Sequence, residues 1–312
     1  MRKPIALLAA TALVALTALR QLPRMGTILP LLLLVDLTVT TLWFNPANDR
    51  DMYYPKTPAI EAMIGSGAPE RVAGIDRALL PITARFYGLE DIRVHDPVAW
   101  RPYVAVLDAA GWDRSDYFGR FRSLPPRQLL DFLGVRYVIT EGQHPRLALP
   151  VAHAGSDAMV YRIDTALPRF FVPSAVAPAE DPVAALLNDD MRGRVFSESL
   201  ALQPASATIT LERYEPNGSI LRVTADDATF IASSEVALPG WSLTRNGEPW
   251  PTHQINGPFL GWRAPAGESK FALSYRPPWL IVSAAGTLLG LLFLAAMLMG
   301  DRRQRAVVGS YT

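Results

Sequence analysis

The two ends of this chain are almost pure Leu, Ala and Val, and that limits its fold more than any motif does. The last apolar run, Trp279 to Gly300, is 22 residues without a charge, closed by Asp301-Arg302-Arg303-Gln304-Arg305. As a helix it reaches about 33 Å, against about 30 Å for the hydrocarbon core of a bilayer. A second run, Met25 to Phe44, is 20 residues with one charge, Asp36. A third, Pro4 to Leu19, is 16 residues and short for a span. Together they predict a membrane-anchored α+β protein. Three transmembrane helices (residues 4–19, 25–44 and 279–300) flank an external mixed α/β subdomain and a C-terminal β-sandwich, and residues 301–312 form a tail.

Positive charge sets the expected orientation. Arg20, Arg24, Arg302, Arg303 and Arg305 fall on one side, and Arg2 and Lys3 on the other. That balance puts the C-terminus in the cytoplasm and the domain outside a multi-pass protein of the inner membrane, with the lipid bilayer as its first partner. Arg2 and Lys3 are discordant. A signal peptide is the rival for the first run, but no convincing A-x-A precedes Arg20. A start lying further upstream is another reading.

Two features inside these runs are candidates for contacts. A carboxylate at Asp36 costs roughly 2.5–3.5 kcal/mol in a bilayer, so it is expected to face a headgroup, a partner helix or a neighbouring helix rather than lipid. Gly286 and Gly290 form a G-x-x-x-G, which lets two helix backbones approach closely and is also common by chance.

Between the ends the composition is that of an ordinary globular protein. There is no cysteine, which excludes disulfides, thiolate metal sites and cysteine nucleophiles. A net charge of +1 offers no field for nucleic acid. Nearly all of the 27 prolines lie between Asn45 and Pro278, which favours turns and short strands over a helical bundle. Residues 45–203 mix signals. Helices are expected at Thr57–Ile64, Val98–Ala110, Pro126–Leu133 and Pro182–Leu187, and strands at Val135–Thr140, Ala158–Ile163 and Arg169–Val176. Residues 204–278 alternate apolar and polar in six or seven short stretches, with Asn246-Gly247 as a hairpin signal, which is the pattern of a sandwich.

No zincin, nucleophile-elbow, phosphate-loop or dinucleotide motif occurs, and His95, His144, His153 and His253 lack metal-ligand spacing. No cofactor or metal is therefore expected, and no catalytic residue is assigned. The densest polar cluster is Glu90-Asp91-Ile92-Arg93-Val94-His95-Asp96-Pro97. On an extended segment with Ile92 and Val94 inward, Asp91, Arg93 and His95 would share a face able to bind an anionic or hydroxyl-rich ligand, with Asp96 beside them. The alternative is a solvated strand edge with an internal ion pair. Trp241, Trp250 and Trp262 would stack on sugar rings if exposed, and otherwise fill a sandwich core.

Several segments, in order, resemble the external region of bacterial YfhO-like membrane proteins. They are Tyr54 to Ile60, Gly88 to Pro97, Leu129 to Val138, Leu167-Pro168-Arg169, Pro239-Gly240-Trp241, Ala264 to Gly267 and Ser274 to Pro277. That family is related to GT-C glycosyltransferases, which use polyprenyl-phosphate-linked sugars to decorate envelope polymers. The resemblance implies the C-terminal external part of such a protein. The catalytic acids of that class lie in the first external loop, whereas Arg20-Gln21-Leu22-Pro23-Arg24 holds no carboxylate. No catalytic residue carries over, and the chain is not expected to catalyse sugar transfer by itself. Three readings follow: a glycosyltransferase-related part that works with a catalytic membrane subunit, a stand-alone anchored module that binds or scaffolds envelope glycan, and a hydrolase with an unrecognised site.

Overall fold

The computed structural model describes residues 25–44, 49–65, 67–96, 98–115, 118–142, 144–189 and 191–308. Residues up to Pro55 form one compact unit and those from Lys56 another. The first unit holds α1 (Met25–Phe44) and a single turn, α2 (Arg50–Tyr53).

The second unit begins with α3 (Pro58–Glu61), which starts where Thr57 accepts a hydrogen bond from Ile60 N (3.4 Å) and Pro58 sits in the first turn. A mixed sheet follows, built from β1 (Arg71–Gly74), β2 (Glu90–Asp91), β5 (Val135–Thr140), β6 (Val151–Ala154) and β7 (Met159–Arg162), in the order β2-β1-β5-β7-β6. β2, β1 and β5 run parallel, and β7 and β6 complete an antiparallel edge. One face packs on α3 and on a 3-10 turn (Thr83–Tyr87) through Ile60, Met63, Leu89 and Val160. The other packs on α4 (Arg101–Ala109) and α5 (Arg127–Phe132) through Val106, Leu107, Leu129 and Leu130. α5 passes straight into β5 through Gly134, whose φ of +68° closes the helix in the left-handed region. A small ribbon, β3 (Trp112–Asp113) and β4 (Arg120–Phe121), lies between these two helices in sequence.

The expected strand at 169–176 is two strands, β8 (Phe170–Phe171) and β9 (Ala175–Pro178), because Pro173 supplies no N–H for a continuous ladder. β9 pairs in parallel with β10 (Arg194–Ser197) across α6 (Pro182–Asn188). The sandwich comprises two sheets. The outer one is β11 (Ala207–Glu215), β12 (Gly218–Ala225), β18 (Gly267–Tyr275), β14 (Trp241–Arg245) and β15 (Glu248–Trp250), in that order. The inner one runs β16 (His253–Ile255), β17 (Phe259–Ala264), β13 (Thr229–Val236) and then β8. Leu221, Val223, Phe271, Ile231 and Trp262 fill the space between them. Asn246 and Gly247 both have positive φ (52° and 93°), the geometry of a tight hairpin between β14 and β15.

The inner sheet is buried on both faces. Ile231 and Trp262 point into the sandwich, while Phe230, Ala232 and Phe259 point into the core of the α/β layer. Phe132 of α5 meets Phe259 edge-on at 4.8 Å. β13 accordingly shows continuous burial over its first six residues rather than alternation.

The expected transmembrane spans at 25–44 and 279–300 are overturned. Residues 4–19 lie outside the described residues. α1 is helical throughout the second run and carries Asp36. The third run belongs to a longer helix, α7 (Leu280–Val308), that continues through the Arg-rich segment. Among the described residues no helix is long and apolar enough to cross a membrane. The fold is a sheet-rich α+β.

Candidate functional site

The polar cluster at residues 90–96 does not form one face. β2 ends after Asp91, so strand alternation no longer governs the residues that follow. Asp91 and Arg93 do meet, but inward: the Arg93 side chain is fully buried and its Nη2 lies 2.7 Å from Asp91 Oδ2. Arg93 Nε donates to Asp91 Oδ1 (3.0 Å), and Nη2 donates to Ala78 O (3.2 Å) and to Leu79 O. The pair therefore ties down the loop after β1, where Asp76, Leu79 and Ile82 all hold positive φ. Such conformations cost on the order of 1–3 kcal/mol each and persist only when neighbours enforce them. Gly74 makes room for this arrangement, since a Cβ there would stand 2.2 Å from Ala78 O and 2.4 Å from Arg93 Nη2.

The neighbour of Asp91, Glu90, belongs to a second set of charges that pattern reading missed. Glu90 Oε2 accepts from Arg71 Nε (3.2 Å) and Arg169 Nη2 (2.7 Å), and Oε1 accepts from Tyr214 OH (2.5 Å). Glu235 Oε1 accepts from Arg169 Nη1 (2.8 Å) and Arg71 Nη2 (3.3 Å). Arg169 also lies over the Tyr214 ring at 4.2 Å. Two arginines and two glutamates thus join β1 and β2 to β11 and β13. Burial pushes the Glu90 carboxyl up, but Arg169, Arg71 and the Tyr214 hydroxyl outweigh it and hold the group below its usual range. Burial raises the Tyr214 hydroxyl despite Arg169, and Glu90 adds to the rise. Beside this seam a cavity of about 280 Å³ brings Asp91 and Trp241 together with Tyr103. Trp241 is half-buried and packs on Tyr275 at 5.2 Å.

His95 and Asp96 sit elsewhere, on an open cleft of about 740 Å³ that they share with Arg101, Asp108, Trp112 and Arg114. His95 packs against Phe118 with ring centroids 4.4 Å apart. The opposite wall is one face of α4. Arg101, Val104, Ala105 and Asp108 follow i, i+3, i+4, i+7 spacing and line the cleft, while Val106 and Leu107 point into the core. Asp108 Oδ2 pairs with Arg114 Nη2 (3.0 Å), and its Oδ1 has no hydrogen-bond partner among the described residues. The cleft falls in the size range of small-molecule sites, about 300–1,000 Å³.

The remaining candidates are dispersed. Trp262 is fully buried between the sheets, and Trp250 is half-buried, donating Nε1–H to Arg263 O (2.7 Å). Both are core residues. Asp36 is half-exposed on α1, where the hydroxyls of Thr38 and Thr41 bond back to Leu34 O (2.6 Å) and Leu37 O (2.5 Å). A Cβ built at Gly286 or Gly290 meets nothing among the described residues within 4 Å, so no close helix contact uses them there. No group of His, Asp and Glu able to hold a metal occurs among the described residues. A signal for the seam did exist in the sequence, as charged residues within strand-like stretches, but nothing in one sequence says which of them meet. No family model matches the chain, and neither a curated protein nor a solved structure matches it.

Proposed function

We propose that the chain is the C-terminal external part of a YfhO-like, GT-C-related protein that acts in glycosylation of cell-envelope polymers. On this reading it holds glycan on the extracytoplasmic side, beside a separate catalytic subunit, rather than transferring sugar by itself. The observation that carries the reading is the open cleft of about 740 Å³ on α4, where donors and acceptors stand around a partly apolar wall. The seam supports the non-catalytic part. Glu90 and Glu235 each face two arginines, so both carboxylates are engaged within the seam.

The test is to titrate the full chain with fragments of envelope polysaccharide while following tryptophan fluorescence, since Trp112 borders the cleft. A parallel assay offers a polyprenyl-phosphate-linked sugar and an acceptor. Saturable binding without transfer is expected. Transfer by the chain alone, or no binding of any fragment, refutes the reading.

A further inference from the structure

We infer that the cleft on α4 takes an uncharged, hydroxyl-rich chain, a neutral glycan, in preference to an acidic one. This rests on the glycan-holding reading and specifies its ligand. The charges around the cleft alternate: Asp96 and Asp108 are acceptors, and Arg101 and Arg114 are donors. Their formal charges cancel, so a ligand bearing a net charge gains nothing from the cleft as a whole. A hydroxyl can donate and accept in turn, and so matches a wall of mixed sign.

The individual contacts point the same way. Arg114 is already engaged by Asp108 at 3.0 Å, which leaves Arg101 as the guanidinium without a hydrogen-bond or ion-pair partner among the described residues. Asp96 turns Oδ1 onto Val98 N (2.8 Å) and remains exposed. Asp108 presents Oδ2, which Arg114 shares, while its Oδ1 is closed off from solvent. Asp108 and Arg114 neutralise each other, so a carboxylate or phosphate on the ligand would meet one guanidinium, Arg101, and one opposing carboxylate, Asp96. With no net attraction to offset it, the loss of hydration on entering a partly desolvated cleft lowers the affinity of an ionised group by about tenfold relative to a hydroxyl. A cation would meet the opposite difficulty at Arg101. Val94 and Val104 supply apolar surface for the C–H face of a sugar ring, while Trp112, largely buried, closes one end.

The experiment titrates the full chain with neutral tetrasaccharides of glucose, galactose, mannose and N-acetylglucosamine, and with tetrasaccharides of galacturonate and glucuronate. Each titration is run at low salt and at 0.5 M NaCl. At least one neutral series is expected to bind at least tenfold tighter than either uronate, with less than a twofold change on adding salt. Asp108→Ala should weaken that binding at least tenfold. Arg101→Gln, an exposed change that leaves the fold intact, should weaken it several-fold. Tighter, salt-sensitive binding of a uronate overturns this inference and leaves the glycan-holding reading in place. Failure of every saccharide to bind removes both. Neutral binding unaffected by either substitution moves the ligand away from this cleft and also overturns the inference.

Discussion

Replacing Arg169 by Met removes the one side chain that touches every other acidic or phenolic member of the seam. In the native protein its guanidinium is about nine-tenths buried, donates to Glu90 at 2.7 Å and Glu235 at 2.8 Å, and lies over Tyr214 at 4.2 Å. Met fills much of the same volume, so loss of packing is small and loss of charge dominates. Glu90 and Glu235 are then left facing each other across Arg71 alone. Removing one partner of a buried ion pair costs about 3–5 kcal/mol, mainly because the survivor stays buried and uncompensated. For a domain of this size that is a fall in Tm of about 6–20 °C, readable by circular dichroism. The double variant Arg169→Met, Glu235→Gln should recover part of the loss, because it removes the orphaned charge and not merely its partner. A Tm change under about 2 °C, or a double variant less stable than Arg169→Met alone, refutes the reasoning. It would mean that water screens the seam as it does an ordinary surface pair.

Three further outcomes are expected. Glu90 has its folded pKa lowered from 4.5, so its contribution is fully present above about pH 4.5 and lost as pH falls through the lowered value; Glu90→Gln should flatten unfolding free energy against pH across that acid window. Gly74→Ala places a methyl against Ala78 O and Arg93, and should destabilise by about 1–3 kcal/mol or more in a urea titration. Asp181→Ala removes the acceptor for Val183 N (3.0 Å) and Ala184 N (2.9 Å) at the start of α6, at about 1 kcal/mol by the same assay.

Much of the local structure was legible because short-range chemistry dictates it. Thr57-Pro58 starts a helix, Gly134 ends one, Val135 to Thr140 is a strand to the residue, and Asn246-Gly247 turns a hairpin. β1 escaped notice because its four residues are nearly all buried and show no alternation, as befits a parallel strand between layers. The cluster at 90–96 was recognised as polar, yet its three expected partners divide between a buried staple, Asp91 with Arg93, and an open cleft at His95. The division depends on where β2 stops, and long-range pairing with β1 decides that. Counting apolar residues predicted spans at both ends, but among the described residues no helix is long and apolar enough to cross a membrane, and the hydropathy of a run sets a preference for an environment without by itself making a span.

Phe171 in β8 pairs with Ala232 in β13, and the same core draws Phe259 from β17. During synthesis Phe259 leaves the ribosome about 90 residues after Phe171, roughly 4–18 s later at ordinary elongation rates. For that interval Phe132, Phe171 and Val176 lack the cover that β17 brings with Phe259, however completely the mixed sheet has formed. The N-terminal layer of this unit therefore waits, half-clothed and adhesive, for its C-terminal neighbour. In a cell, the nascent chain is most in need of a holding chaperone within that window, and a pause in translation between β8 and β17 would lengthen it.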